Sequence, residues 1–148
     1  MFKFTEFFVT GLYIGKIRWA PGTMGTIAAV PLAYYLSQLG LMGYLQWTIL
    51  LIFLSIGFCS YYEAKSHSHD SQQIVIDEVV GYLVSYMWLP QRWQAFAAAF
   101  VLFRFFDILK PFPIGYIDKK VKGGLGVVLD DLAAGMVSNI ILQFLFKP

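Results

Sequence analysis

Nine acidic side chains stand in a 148-residue chain that is 58% hydrophobic, and five of them fall within apolar runs. Asp77 and Glu78 interrupt "IVIDEVVG", Asp107 interrupts "FRFFDILKPFP", and Asp130 and Asp131 sit together in "GVVLDDLAAGMVSNIILQFLF". A carboxylate in hydrocarbon is costly unless it is paired, neutralised or bound to a metal. Acids in a first helical turn complement the helix dipole. That accounts for one acid at a wet surface, and poorly for two facing an apolar bundle. Arg104, Asp107 and Lys110 are spaced i, i+3, i+6, which places them on one helix face. Pro111 ends that helix and Pro113 keeps the next segment extended. The plain structural reading is an Arg104–Asp107 ion pair with Lys110 reaching to the interface. The chemical reading is a metal-bound phosphate, with Asp107 on the metal and the two cations on phosphate oxygens.

In "KGGLGVVLDDLAAG" three glycines free the backbone to approach a ligand before a helix begins. A helix start favours anions, yet the side chains supplied near it are carboxylates. A hard divalent cation, Mg²⁺ or Mn²⁺, resolves that contradiction. Adjacent helical residues point about 100° apart, so one of Asp130 and Asp131 suits a direct ligand. The other suits a basic side chain or a water. Gly135 with Ala133 and Ala134 permits close helix packing. In "IGKIRWAPGTMGT", Thr23 is placed either to cap a helix or to touch a phosphate alongside Lys16 and Arg18. His67, His69 and Asp70 in "KSHSHDSQQ" match no strong zinc spacing and read as a solvated loop, with the role of Asp70 open. Cys59, the single cysteine, lies in an apolar run and reads as an inert buried thiol.

The elements that must position these residues are membrane helices. Charged residues are 14% of the chain, against about 25% in soluble domains, and the mean hydropathy is +0.63. A net charge of +2 on scattered basic residues excludes a nucleic-acid surface. The N-terminal stretch has no small-residue cleavage site, so no signal peptide is read there. Phe4, Phe7, Phe8 and Leu12 suit a short helix lying in the interface or packed on the bundle. Apolar segments at 23–39, 44–60, 79–89, 93–109 and 126–146 predict an all-α integral membrane bundle of about four to five embedded helices. The whole chain, 1–148, reads as one such domain. The 79–89 segment is too short to span, so it extends back through "QQIVIDE" or stops in a protein-lined region. With five crossings, nine lysines and arginines fall on one side and two on the other, which assigns the first side to the cytoplasm. All nine acids fall on that same side, at lipid-headgroup level.

Taken in order, "APGTMGT" (20–26), "HDSQQIVIDEVVG" (69–81), "FRFFDILKPFPI" (103–114) and "KGGLGVVLDDLAAG" (122–135) resemble the phosphatidylglycerophosphatase A family of bacterial membrane lipid phosphatases. The resemblance covers nearly the whole chain. It implies a multi-pass protein of the bacterial inner membrane that removes the terminal phosphate of phosphatidylglycerophosphate with Mg²⁺, Mn²⁺ being a substitute. On that reading Asp77, Glu78, Asp107, Asp130 and Asp131 are the metal ligands. Arg104 and Lys110 bind phosphate, helped by Thr23 and Lys122, and Asp77, Asp107, Asp131, Arg104 and Lys110 carry the catalysis. A metal-activated water is the preferred nucleophile, with a phosphoaspartate on Asp77 or Asp131 as the alternative. The partners expected are the membrane and its phospholipid substrate, and a homo-oligomer is compatible with the chain. Two readings compete. An ion-coupled transporter would want carboxylates near the midplane and repeated halves. A non-catalytic membrane scaffold would need none of these acids.

Overall fold

Proline and glycine set the helix limits, and apolar runs fill what lies between. The computed structural model describes residues 2–17, 19–66 and 73–146, so Arg18, His67, His69 and Asp70 lie outside the described residues. Among the described residues all regular structure is helical: α1 (Phe2–Val9), a 3-10 turn (Ile14–Lys16), α2 (Pro21–Ser37), α3 (Gly40–Ser66), α4 (Ile76–Tyr86), α5 (Trp93–Leu109), α6 (Ile114–Lys120) and α7 (Gly123–Leu145). Pro21 opens α2 at its first position, where the missing N–H costs nothing. The residue before it, Ala20, is the N-cap, and no side chain caps the helix. The capping role expected of Thr23 is therefore not taken up, because the helix begins two residues earlier.

Two helices, α3 and α7, are long and apolar enough to cross a membrane. The inward stripe of α3 includes Thr48, Ser55 and Cys59, while Trp47, Phe53 and Leu54 face outward. A soluble helix buries its large apolar side and exposes its polar one; α3 does the reverse. The buried thiol agrees with an inert Cys59. Helix α1 packs on α3 through Phe2 stacked on Tyr62 at 5.7 Å and Phe8 against Phe58 at 4.7 Å, leaving Phe4 exposed.

Helix α4 has 11 residues, about 16 Å of length at 1.5 Å per residue. It extends back only as far as Ile76, taking in the last three residues of "QQIVIDE", and it ends inside protein. A helix ending there must have its last carbonyls satisfied by the protein. Asn139 of α7 donates to the carbonyls of Ser85 at 3.0 Å and Met87 at 2.6 Å, and Gln143 donates to Met87 at 2.9 Å. At this same end, Gln91 donates to the Ser37 carbonyl at 2.9 Å and ties the two turns of the helical hairpins together.

Helices α4 and α7 cross where glycine faces glycine. A Cβ on Gly135 would collide with the Gly81 carbonyl oxygen and stand 3.2 Å from Val84 Cβ. One on Gly81 would stand 2.9 Å from the Asp131 carbonyl oxygen. Asp77 lies one turn before Gly81, and Asp131 one turn before Gly135. The crossing thus sets both acids against each other. Replacing Gly135 with Leu forces the helices apart. Overpacking of this kind costs about 1–3 kcal/mol, and a lowered thermal midpoint in detergent, with loss of the site below, is the expected result.

Candidate active site

The starts of α2, α4 and α7, the end of α5 and the short α6 enclose a chamber of about 600 Å³. Asp77, Glu78, Asp130 and Asp131 form its inner wall, and Arg104, Asp107, Lys110 and Lys122 complete it. Eight of the nine site residues expected from sequence are therefore brought together. Thr23 is the exception: it is half-buried in the first turn of α2 and does not line the chamber.

Arg104 is ion-paired with Asp107 one turn on and reaches Glu78 at 3.7 Å. The plain intrahelical pair therefore forms, and it forms inside the chamber. Gly22 of α2 makes room for it, since a Cβ there would collide with Glu78 Oε1 and stand 3.1 Å from Arg104 Nη1. Lys110 is not the last residue of a helical row. It caps α5 in the left-handed region, at φ 44°. Its ammonium turns away from the interface to donate to Asp118 Oδ1 at 2.8 Å and to Asp130 Oδ2 at 2.5 Å. Asp130 thus takes the basic partner expected of one member of the Asp130–Asp131 pair, leaving Asp131 to face the chamber with 3% of its surface exposed.

Asp118 and Lys119, also in the chamber wall, were not singled out by sequence reading. "GYIDKK" reads as a solvated surface turn, and only the return of α6 over the end of α5 brings Asp118 to Lys110. Burial works against the Lys110 ammonium, but the hydrogen bonds it donates to Asp118 and Asp130 outweigh that and raise its pKa. The hydrogen bond from Lys110 in turn lowers the pKa of Asp118.

The chamber is rich in oxygen donors that lack partners. Asp77 Oδ1, Glu78 Oε2, Asp130 Oδ1 and Asp131 Oδ2 are buried with no hydrogen bond among the described residues. Six carboxylates line the space against four lysine and arginine side chains, an excess of two negative charges when all are ionised. No ion pair engages Asp77 or Asp131 among the described residues. No three His, Cys, Asp or Glu side chains there are drawn together as a ready-made metal cage. Mg²⁺ seldom uses one; it takes one or two carboxylates and fills its remaining positions with water and substrate phosphate. Hard, unpartnered oxygens and a double negative excess fit such an ion.

A family model described as Phosphatidylglycerophosphatase A matches residues 7–146. The chain is 40% identical over 132 residues to the phosphatidylglycerophosphatase A of Escherichia coli strain K12, covering 84% of this chain and 73% of that one. It is 42% identical over 134 residues to the phosphatidylglycerophosphatase A of Haemophilus influenzae, covering 89% and 82%. A protein of Bacteroides thetaiotaomicron, provisionally named a phosphatidylinositol-3-phosphatase, is 34% identical over 140 residues, covering 90% and 87%. No solved structure matches the chain.

The Lys110–Asp118 contact gives α6 a defined pH window. The folded pKa of Asp118 lies below its unfolded value, so its contribution is present above about pH 3.9 and is lost as pH falls further. That of Lys110 lies above its unfolded value, so its contribution is complete below about pH 10.4 and is lost as pH rises through the folded value. Hydrogen exchange across α6, corrected for intrinsic rates, should stay level between about pH 5 and pH 9. At neutral pH, Asp118→Asn should speed it roughly two- to fivefold, the scale of a partly exposed ion pair, with α4 unaffected.

Proposed function

The chain belongs to the phosphatidylglycerophosphatase A family, and on that premise we propose that it hydrolyses the terminal phosphomonoester of phosphatidylglycerophosphate to phosphatidylglycerol and inorganic phosphate. The observation that carries this reading is the chamber, where unpartnered buried carboxylate oxygens stand beside Arg104 and Lys110. A transporter is disfavoured because the acids gather at one end of the bundle, and a scaffold because it has no use for them.

Phosphoryl transfer is mostly positioning and charge stabilisation. Arg104 and Lys110 hold phosphate oxygens, each kept in place by a carboxylate, Asp107 for the first and Asp118 with Asp130 for the second. Lys119 and Lys122, exposed at the rim, attract the anionic headgroup. Asp77, Glu78, Asp130 and Asp131 are the residues that would hold Mg²⁺ or Mn²⁺, with Asp107 contributing only through the oxygen not given to Arg104. Such an ion, when bound, supplies neutralisation of phosphate charge and a more acidic water. Asp77 Oδ1 and Asp131 Oδ2 are the acceptors for the proton of an attacking water. The water oxygen bonds to phosphorus, the bond to the glycerol oxygen breaks, and that alkoxide takes a proton from solvent.

The reading places the protein in a bacterial inner membrane as a multi-pass bundle with the chamber facing the cytoplasm. Two features support it. In chain order, helices α2, α3, α4, α5 and α7 alternate direction, with the chamber at one end and the Gln91–Ser37 contact at the other. Counted along the sequence for five crossings, nine lysines and arginines on one side against two on the other favour a cytoplasmic chamber.

Phosphate release from phosphatidylglycerophosphate by purified protein, with Mg²⁺ or with EDTA, tests the proposal. Release no faster than in protein-free controls would sink the phosphatase reading, and indifference to EDTA would remove the metal. Asp107→Asn and Asp131→Asn should each slow turnover about 100-fold or more, with the protein still folded and inserted. Phosphatidylinositol 3-phosphate, given in parallel, is expected to be the poorer substrate.

A further inference from the structure

An apolar groove of about 700 Å³ runs between α2 and α5, outside the chamber. Its α2 side is Ile27, Val30, Pro31 and Tyr34. Its α5 side is built on Trp93, Phe96, Ala97, Phe100 and Val101. Ala97 and Pro31 are the small side chains of its lining, among the rings of Tyr34, Trp93, Phe96 and Phe100. Tyr34 meets Phe96 across the groove at 6.2 Å between centroids.

The groove leads to the chamber. On α5, residues 93, 97, 100, 104 and 107 repeat at helical spacing, so one face carries Trp93, Ala97 and Phe100 and then Arg104 and Asp107. Phe100 is one turn from Arg104, about 6 Å along the axis. On α2, Ile27 lies about 7–8 Å along the axis from Gly22, which lines the chamber. Thr23 stands between them, one turn from Ile27 on the same face. At the far end Trp93 is 75% exposed and Tyr34 50%, the amphipathic rings expected near a membrane–water boundary. The groove extends about 12 Å along α5, from Val101 to Trp93.

We infer that the α2–α5 groove holds an acyl chain of the lipid whose phosphate enters the chamber. The inference rests on the phosphatase reading and adds to it a second recognition element, an acyl track on the helix that presents Arg104. The continuity of one α5 face from the groove to Arg104 and Asp107 favours an acyl chain over a second copy of the protein. A lipid seated along α2 and α5 has its glycerol backbone at the level of Thr23 and its phosphate beside Arg104. Half-exposed apolar walls then leave the groove open sideways to the bilayer, so the substrate enters without leaving the membrane.

The test compares dipalmitoyl with dihexanoyl phosphatidylglycerophosphate in mixed micelles. Filling the groove with Ala97→Trp should lower kcat/KM for the long-chain lipid about tenfold while leaving the short-chain lipid within about twofold. Ile140→Trp, on the exposed face of α7, should change neither. Equal loss on both lipids, or no loss on either, overturns the acyl track. With unaltered protein, phosphatidylglycerophosphate bearing a mid-chain diazirine should label α2 and α5. The label should be displaced by unlabelled substrate and not by phosphatidylcholine of the same chains. Labelling of α3 or α7 instead, or displacement by phosphatidylcholine, overturns the inference, as does efficient disulfide dimerisation of Ala97→Cys, which would make the groove a contact between copies. Absence of phosphate release from either lipid by unaltered protein counts against the phosphatase reading itself, a result separate from any change in chain-length preference.

Discussion

The close crossing of α4 and α7 is the constraint on which the rest depends. Gly81 and Gly135 remove the side chains that would hold the two backbones apart. Each glycine lies one turn after an aspartate, so the approach that packs the helices also sets Asp77 against Asp131. Helix α4 is buried almost all round and is too short to cross a bilayer by itself. It persists because α7 supplies both its packing face and, through Asn139 and Gln143, the donors for its final carbonyls. One helix pair thus provides the inner wall of the chamber and the support for that wall.

Around this pair the fold separates two kinds of surface. At one end, carboxylates and cations are drawn around one open-mouthed pocket and linked in pairs: Arg104 with Asp107 and Glu78, Lys110 with Asp118 and Asp130. Along the flanks, α3, α5 and α7 turn large apolar side chains outward. Burying so many acids is tolerable because most are paired, while the unpaired remainder, Asp77 and Asp131, confers a charge excess suited to a cation. The side chains described leave that excess unneutralised, which is why it supports a catalytic reading.

Much of the candidate site was legible because hydrocarbon makes acids conspicuous. Asp77, Glu78, Asp107, Asp130 and Asp131 stood out against apolar neighbours, and all five line the chamber. Asp118 and Lys119 escaped notice because they lie in the short charged stretch that becomes α6, where a charge carries no information. Lys110 carried two readings, a phosphate-binding cation or a lysine reaching to the interface, and its left-handed backbone turns it inward to two carboxylates of the chamber. Thr23 was read as a cap or a phosphate contact, but Pro21 starts the helix before it and Thr23 does not line the chamber. Helix spans followed from the apolar runs, with ends shifted by a few residues where Pro21, Gly40 and Gly123 took over.

By itself the sequence determined the helical class, the apolar outer surface, the family, and which side chains had to find one another. These are properties of composition, periodicity and spacing, and a chain carries them before it folds. The tertiary structure decided which partner each charge takes. It turned Lys110 to Asp130, placed Arg104 between Asp107 and Glu78, and left Asp77 and Asp131 without an ion pair among the described residues. It also decided that α4 ends inside protein and that α2 and α5 leave a groove. Those outcomes depend on how closely helices distant in sequence can approach. That approach is set by a Cβ absent at Gly81, Gly135 and Gly22, and by where each backbone turns.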